Sequence, residues 1–309
     1  MILGTIDLGT NTVLMVVGSK EPSGTVRILA DEHDVGRLGK GVDANGLILP
    51  ETFDRIARIL TRYRLIAEEL GAEKIIGFGT SALRDARNRD QFIAAMMEQA
   101  GVELQLLSGT DEAELSFQGA LFGLQGDTDQ IAVIDIGGGS TEIAQGVGKS
   151  FLQGVSINVG AVRVTERFFG GELPPSKSAV ADAREFIRTA FLETLRLPTQ
   201  TTVVGVAGTI TTLGAMSMGL DRFDPREVNG ARLSGQWIRK TTEALLKLGL
   251  EEIKEILQVM EGREDIITGG GLVLDEFVRA FDVKEIIVST QGLRYGLLMQ
   301  QLERYNKAL

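Results

Sequence analysis

One device occurs twice in this chain, and it restricts the available folds more than any other feature. Ile6-Asp7-Leu8-Gly9-Thr10-Asn11-Thr12 and Ile134-Asp135-Ile136-Gly137-Gly138-Gly139-Ser140 each place an aspartate near the end of an apolar strand, then a turn of small residues into a second strand. The two copies stand close to half the chain length apart, and 309 residues suffice for two cores. The repeat predicts an internal duplication: two α/β domains of like fold facing each other across a cleft. Their expected extents are 1–125 and 126–294, with the polar stretch 126–130 as the break. The terminal helix, about 295–309, is expected to complete the first domain.

The hydrophobic pattern agrees with this layout. Strands are expected at 2–7, 13–18 and 25–30, then a helix over 51–70 opened by Pro50 and stopped by Gly71. A strand at 74–79, a helix at 88–100, a strand at 103–107 and a helix capped by Thr110 and reaching Leu124 complete the half. The second half begins again with strands at 131–136, 141–145 and 149–159. A helix near Val162, another over 176–195 and a strand at 203–206 follow. Helices are expected at 209–216, 234–247, 251–257 and 263–280, then a strand at 285–288 and a last helix from Gly292.

The residue inventory limits the chemistry. With no cysteine, thiol catalysis, disulfides and cysteine-bound zinc are excluded, and the absence suits a reducing cytoplasm. His33 is the single histidine, which argues against a multi-histidine metal site and a serine-histidine triad. A net charge of −10 argues against a nucleic-acid coat protein. No apolar run reaches the ~20 residues that span a bilayer, and the N-terminus does not read as a secretory leader. Catalysis must then rest on carboxylates, hydroxyls, arginines, backbone amides and a metal.

The repeated turns suit phosphate. Glycine lets backbone approach the oxygens, and successive N–H groups form an anion-binding concavity. Gly9, Thr10, Asn11 and Thr12 form one such turn, and Gly137, Gly138, Gly139, Ser140 and Thr141 the other, with the hydroxyls as added donors. Asp7 and Asp135, at strand ends, can hold a hydrated magnesium ion, which takes few carboxylates and keeps several waters. Glu142 is placed to position water or to bind the metal through water. Arg84 and Arg37 lie in loops from which a guanidinium can grip phosphate. Arg55, Arg58, Arg62 and Arg64 read as the wet face of the first long helix, or else as a track for a longer polyanion. Arg263 is expected to enter the cleft at a helix start.

These loops, with Val206-Ala207-Gly208-Thr209 and Thr268-Gly269-Gly270-Gly271, resemble those of the actin, sugar-kinase and chaperone-ATPase superfamily. More closely, the chain resembles the exopolyphosphatase / guanosine pentaphosphate phosphohydrolase family. Residues 6–12 (IDLGTNT), 36–41 (GRLGKG), 80–90 (TSALRDARNRD), 107–113 (LSGTDEA), 134–142 (IDIGGGSTE) and 206–213 (VAGTITTL) carry the match, with 291–297 (QGLRYGL) weaker. The resemblance implies duplicated actin-like, ribonuclease H-like domains, Gly208 and Thr209 as further phosphate contacts, and Glu112 as the base that activates water. It implies a cytoplasmic, magnesium-dependent hydrolase acting on the terminal phosphoryl group of inorganic polyphosphate. Guanosine pentaphosphate is the alternative substrate, and an ATP-dependent kinase or a non-catalytic alarmone sensor are more distant alternatives. A homodimer is expected, with neither nucleic acid nor membrane as a partner. The family's longer members carry an additional C-terminal helical domain, for which this chain is expected to be too short. The chain departs from the family pattern at Val13-Leu14-Met15, Val228-Asn229-Gly230 and Thr290-Gln291.

Overall fold

The structure is a computed structural model that describes residues 1–124 and 130–308. The expected break at 126–130 lies outside them, Gln130 excepted. The chain divides into two units, Met1–Leu115 with Leu293–Leu309, and Ser116–Gly292.

In the first unit β1 (Ile2–Leu8), β2 (Thr12–Lys20) and β3 (Val26–Val35) form an antiparallel meander. It continues through α1 (Val42–Asn45), α2 (Pro50–Glu69), β4 (Lys74–Gly79), α3 (Ser81–Asp85), α4 (Arg89–Ala100), β5 (Glu103–Leu106) and α5 (Gly109–Ala120). β4 and β5 join in parallel, giving the order β3-β2-β1-β4-β5. Pro50 starts α2 where its missing N–H has no intrahelical partner to lose. The 3.6-residue period then brings Ile56, Leu60 and Tyr63 against Ile6, Leu8, Val13 and Met15 of the sheet. Each such side chain contributes about 1.5–3 kcal/mol on burial. The Tyr63 hydroxyl donates to Val13 O at 2.9 Å, so its burial leaves no unmade bond.

The second unit repeats this plan. β6 (Ile131–Ile136), β7 (Thr141–Val147) and β8 (Ser150–Ile157) form a meander. Then come α6 (Ala161–Val164), a π-helical turn (Thr165–Phe169), α7 (Lys177–Leu192), β9 (Thr202–Val206), α8 (Ala207–Met218), α9 (Pro225–Val228), β10 (Arg232–Ser234), α10 (Gly235–Leu245), α11 (Leu250–Lys254), α12 (Ile267–Ala280) and β11 (Glu285–Val288). Counted from its outer edge the sheet runs β8-β7-β6-β9-β11, the order and directions of β3-β2-β1-β4-β5, with β10 added at the far edge. Even the register shift in each meander recurs, at Val17/Gly18 and at Gln145/Gly146. All six residues of β6 are buried, as a central strand covered on both faces requires.

The last helix, α13 (Leu293–Ala308), groups with the first unit. Leu293 and Leu297 pack with Ile76, Phe78, Leu107 and Leu115. Arg294 donates two bonds to the Asp31 carboxylate, at 2.7 and 2.9 Å, and the Tyr295 hydroxyl donates a third at 2.8 Å. The arginine of the QGLRYGL stretch thus fastens α13 to β3.

Several expectations need correction. Residues 81–85 form a helix where a turn was expected, so Arg84 lies on α3. The cap of α5 is Ser108, not Thr110: its hydroxyl oxygen accepts the Asp111 amide at 3.1 Å and its carbonyl accepts the Glu112 amide at 2.9 Å. The helix expected from residue 263 begins at Ile267; residues 263–266 form a turn, in which Arg263 O accepts the amides of Ile266 and Ile267 at 3.1 and 2.9 Å. The pieces α1, α9 and β10 are three or four residues long, too short to show a period.

Candidate active site

In the first unit the expected site residues collect beyond the C-terminal ends of the parallel strands β1, β4 and β5, where open α/β sheets place ligands. Asp7 is the penultimate residue of β1. The turn that follows is closed by the Gly9 amide donating to Thr12 O at 2.9 Å. A Cβ on Gly9 would stand only 3.0 Å from that oxygen, which accounts for the glycine. The Gly9 amide is therefore committed inside the loop. The next two carbonyls are committed as well: Thr10 O accepts Gly39 N at 2.8 Å, and Asn11 O accepts Gly36 N and Arg37 N at 2.9 and 2.8 Å. In a trans peptide the N–H points opposite to the C=O. The amides of Asn11 and Thr12 therefore face away from the 36–39 loop.

Glu112, in the first turn of α5, is 6% exposed. Arg84 Nη1 donates to Glu112 Oε2 in a short ion pair and to Leu107 O at 3.2 Å. Glu112, the expected base, and Arg84, expected to grip phosphate, are thus joined. The arrangement aims one carboxylate and limits its freedom.

The second unit builds its loop the same way. Gly137 N donates to Ser140 O at 3.0 Å, and a Cβ on Gly137 would lie 3.1 Å from that oxygen. Gly137 O accepts Ala161 N at 2.9 Å, and Gly138 O accepts Val162 N and Arg163 N at 2.8 and 3.1 Å. Arg163 Nε completes the set on Gly139 O at 2.7 Å. The amides of Gly138, Gly139 and Ser140 accordingly face away from α6. In both turns the carbonyls are held from one side, and the N–H groups of the same peptides point the other way, the arrangement of an anion-binding concavity, or cradle.

In this second turn the hydroxyls expected as extra donors are spent internally. Thr141 donates to Val159 O at 2.6 Å, and Ser140 donates to Glu142 Oε1 at 2.7 Å. The same Glu142 oxygen accepts from Ser156 at 2.6 Å. Glu142 is 2% exposed on β7, held by two hydroxyls. Asp135, 9% exposed near the end of β6, accepts from the Ser116 hydroxyl at 2.7 Å. Burial pushes its carboxyl above the ordinary range, and the Ser116 bond opposes that rise. Ser116, Ser156 and Arg163 escaped sequence reasoning, since their partners lie on other elements and no spacing announces them.

Gly208 and Thr209 open α8 behind Ala207, a non-glycine residue with φ of 69°. Arg263 does not stand at a helix start; its guanidinium covers Gly208, where a Cβ would meet Nη1 at 1.4 Å. Burial lowers the Arg263 pKa to about 10. Thr209 packs its side chain against Gly270 of α12. Two departures from the family pattern meet each other: Asn229 Oδ1 accepts the Thr290 amide at 3.0 Å.

Among the described residues there is no cluster of three or more histidine or acidic side chains able to enclose a metal. A single strand-end carboxylate such as Asp135, with Ser116 on one oxygen, fits a cation that keeps its waters and takes its other ligands from phosphate, as magnesium does. No helix among the described residues is long and apolar enough to cross a membrane.

Two halves of matching topology, each with a carbonyl-anchored turn behind a strand-end aspartate, define a duplicated α/β protein of the actin-like class. The family model described as the Ppx/GppA phosphatase family matches residues 16–305, and the chain belongs to that family, an enzyme of the phosphoric anhydride hydrolase class. Exopolyphosphatase 2 of Mycobacterium tuberculosis is 33% identical over 312 residues, spanning 96% of this chain and 97% of its own. The crystal structure of an exopolyphosphatase-like protein matches with a TM-score of 0.91 at 27% identity, covering 99% of this chain and 100% of the other. The Aquifex aeolicus family member matches with a TM-score of 0.82 at 26% identity, covering 99% of each chain.

Proposed function

We propose that this enzyme is an exopolyphosphatase: it hydrolyses the terminal phosphoryl group of inorganic polyphosphate with Glu112 as general base. The observation that carries the reading is the Arg84–Glu112 pair, which holds a buried carboxylate in the unit that also carries one of the two cradles. Glu112 takes a proton from water as the water oxygen bonds to the terminal phosphorus and the anhydride P–O bond breaks. Inorganic phosphate and a chain one unit shorter result. Arg84 orients Glu112. Cradle amides, those of Asn11 and Thr12 and of residues 138–140, donate to phosphate oxygens and stabilise the charge that develops on them. Arg37 supplies a guanidinium for the chain. The carboxylates available to magnesium are Asp7 and Asp135, with Glu142 acting through water, and a bound ion would supply charge neutralisation on the phosphate. We place the reaction in the cytoplasm, consistent with a chain that has no cysteine.

The test is phosphate release from long-chain polyphosphate with magnesium, run beside conversion of guanosine pentaphosphate to tetraphosphate. Release from polyphosphate supports the reading. Conversion of the nucleotide with polyphosphate left intact moves the substrate to the alarmone. A second test addresses the metal. Ser116→Ala removes the hydroxyl that orients Asp135, and loss of such a partner typically weakens metal affinity about 10–100-fold. The magnesium concentration for half-maximal rate is expected to rise by about that factor, with the rate recovering at saturation. An unchanged magnesium requirement would take Asp135 out of the metal site.

A further inference from the structure

Arg55 does not lie on the wet face of α2. Arg62 does, pairing with Asp34, and Arg58 turns back to Asp54 O of its own helix at 3.2 Å. Arg64 reaches Ala100 O at 2.9 Å and Glu68 at 2.6 Å. Arg55 instead points into the 36–39 loop: Nε donates to Gly36 O at 2.7 Å, and Nη2 approaches Arg37 O at 3.5 Å. Its direction is set by Thr52, one turn back on α2, whose buried hydroxyl accepts from Nη2 at 3.1 Å.

The residue between those two carbonyls is backbone-strained. Arg37 has φ of 46°, in the left-handed region that side chains with a Cβ rarely occupy. Such a conformation persists only where its surroundings hold it. Two peptide planes define φ and ψ of Arg37, those on either side of its Cα. The amides of Gly36 and Arg37 are fixed on Asn11 O at 2.9 and 2.8 Å. Arg55 reaches the carbonyl of each plane, on the first of them opposite the Arg37 amide, and is anchored on a 20-residue helix with a buried face.

We propose that Arg55 is a positioning residue for substrate binding, holding Arg37 in its left-handed backbone conformation so that the Arg37 guanidinium meets the phosphate chain. This rests on the reading of Arg37 as a phosphate ligand. Charge-assisted bonds to backbone carbonyls are the strong kind, and a carboxamide cannot reproduce the arginine fork.

The experiment measures KM and kcat for phosphate release from long-chain polyphosphate with magnesium in Arg55→Gln, Arg55→Lys, Arg37→Ala and the Arg37→Ala/Arg55→Gln double variant. Arg55→Gln is expected to raise KM about tenfold with kcat within about twofold, the size of a lost charge-assisted bond. Arg55→Lys, which keeps one charged donor for Gly36 O, is expected to fall between. In the Arg37→Ala background, Arg55→Gln is expected to add less than about twofold, because residues acting through one another are not additive. An equal KM rise in both backgrounds, or none in either, overturns the proposal. An Arg37→Ala enzyme with wild-type KM overturns the phosphate role of Arg37 itself and the proposal with it, a pattern distinct from the first. If Arg55→Gln does not fold by circular dichroism, Arg55→Lys carries the same comparison.

Discussion

Glu112→Gln is expected to lower the rate of phosphate release about 10²–10⁴-fold, the usual contribution of a positioned general base, while polyphosphate still binds. The amide matches the carboxylate in size but cannot take a proton from water. The surroundings allow this to be a clean change. Glu112 is held by its place in a capped first turn and by Arg84, and Arg84 keeps its second partner, Leu107 O, in the variant. The two glycine turns proposed to bind phosphate lie elsewhere in the sequence and are closed by backbone bonds that the substitution does not touch. The measurement is single-turnover phosphate release beside equilibrium binding of polyphosphate. Equal rates in the two proteins would remove Glu112 from the chemistry; loss of binding would assign it to substrate affinity.

Gly160→Ala is expected to have the next largest effect, and to strike the site and the fold together. A Cβ there would lie 2.4 Å from Gly138 O, 2.5 Å from Gly138 C and 2.7 Å from Gly139 C. All three are backbone atoms, so no side chain can swing away. Either α6 moves back, breaking the bonds from Ala161, Val162 and Arg163 to the cradle carbonyls, or the cradle itself moves. Overpacking of this kind costs about 1–3 kcal/mol. A displacement near 1 Å in a positioning element can cost about 10²-fold in rate. Thermal unfolding and kcat/KM measured together check it. A variant with wild-type activity would show that the cradle does not position substrate.

The duplication was legible because it is written in residue types: aspartate, glycine and small hydroxyl residues in one order, twice. The sheets follow from it, since β1 and β6 are the apolar runs that a central strand requires. The family motifs likewise led to the family. The internal wiring was not legible. Thr141 and Ser140 look like free donors in a motif, yet their protons go to Val159 O and Glu142. Arg55 sits in a row of arginines at helical spacing, and only the loop brought beneath it distinguishes it from Arg58 or Arg62. Ser116 follows Glu112 by one turn of α5 and carries no motif; its importance arises from β6, far off in sequence. Hydrogen bonds between elements depend on where the chain returns, which no local pattern records.

The carbonyls of the two cradles are held by the chain itself: Thr10 O and Asn11 O by the 36–39 loop, and those of 137–139 by residues 161–163. On the proposed role of these loops, the entropy of ordering them is therefore spent when each unit folds and not when an anion arrives. A rigid receptor returns more of its contact energy as affinity than one that must first be organised. It also discriminates poorly among ligands that share a head group, because each presents the same oxygens to the same fixed amides. Selectivity for one phosphate ester or chain length over another would then have to come from groups beyond the cradles, in the side chains that meet the remainder of the ligand.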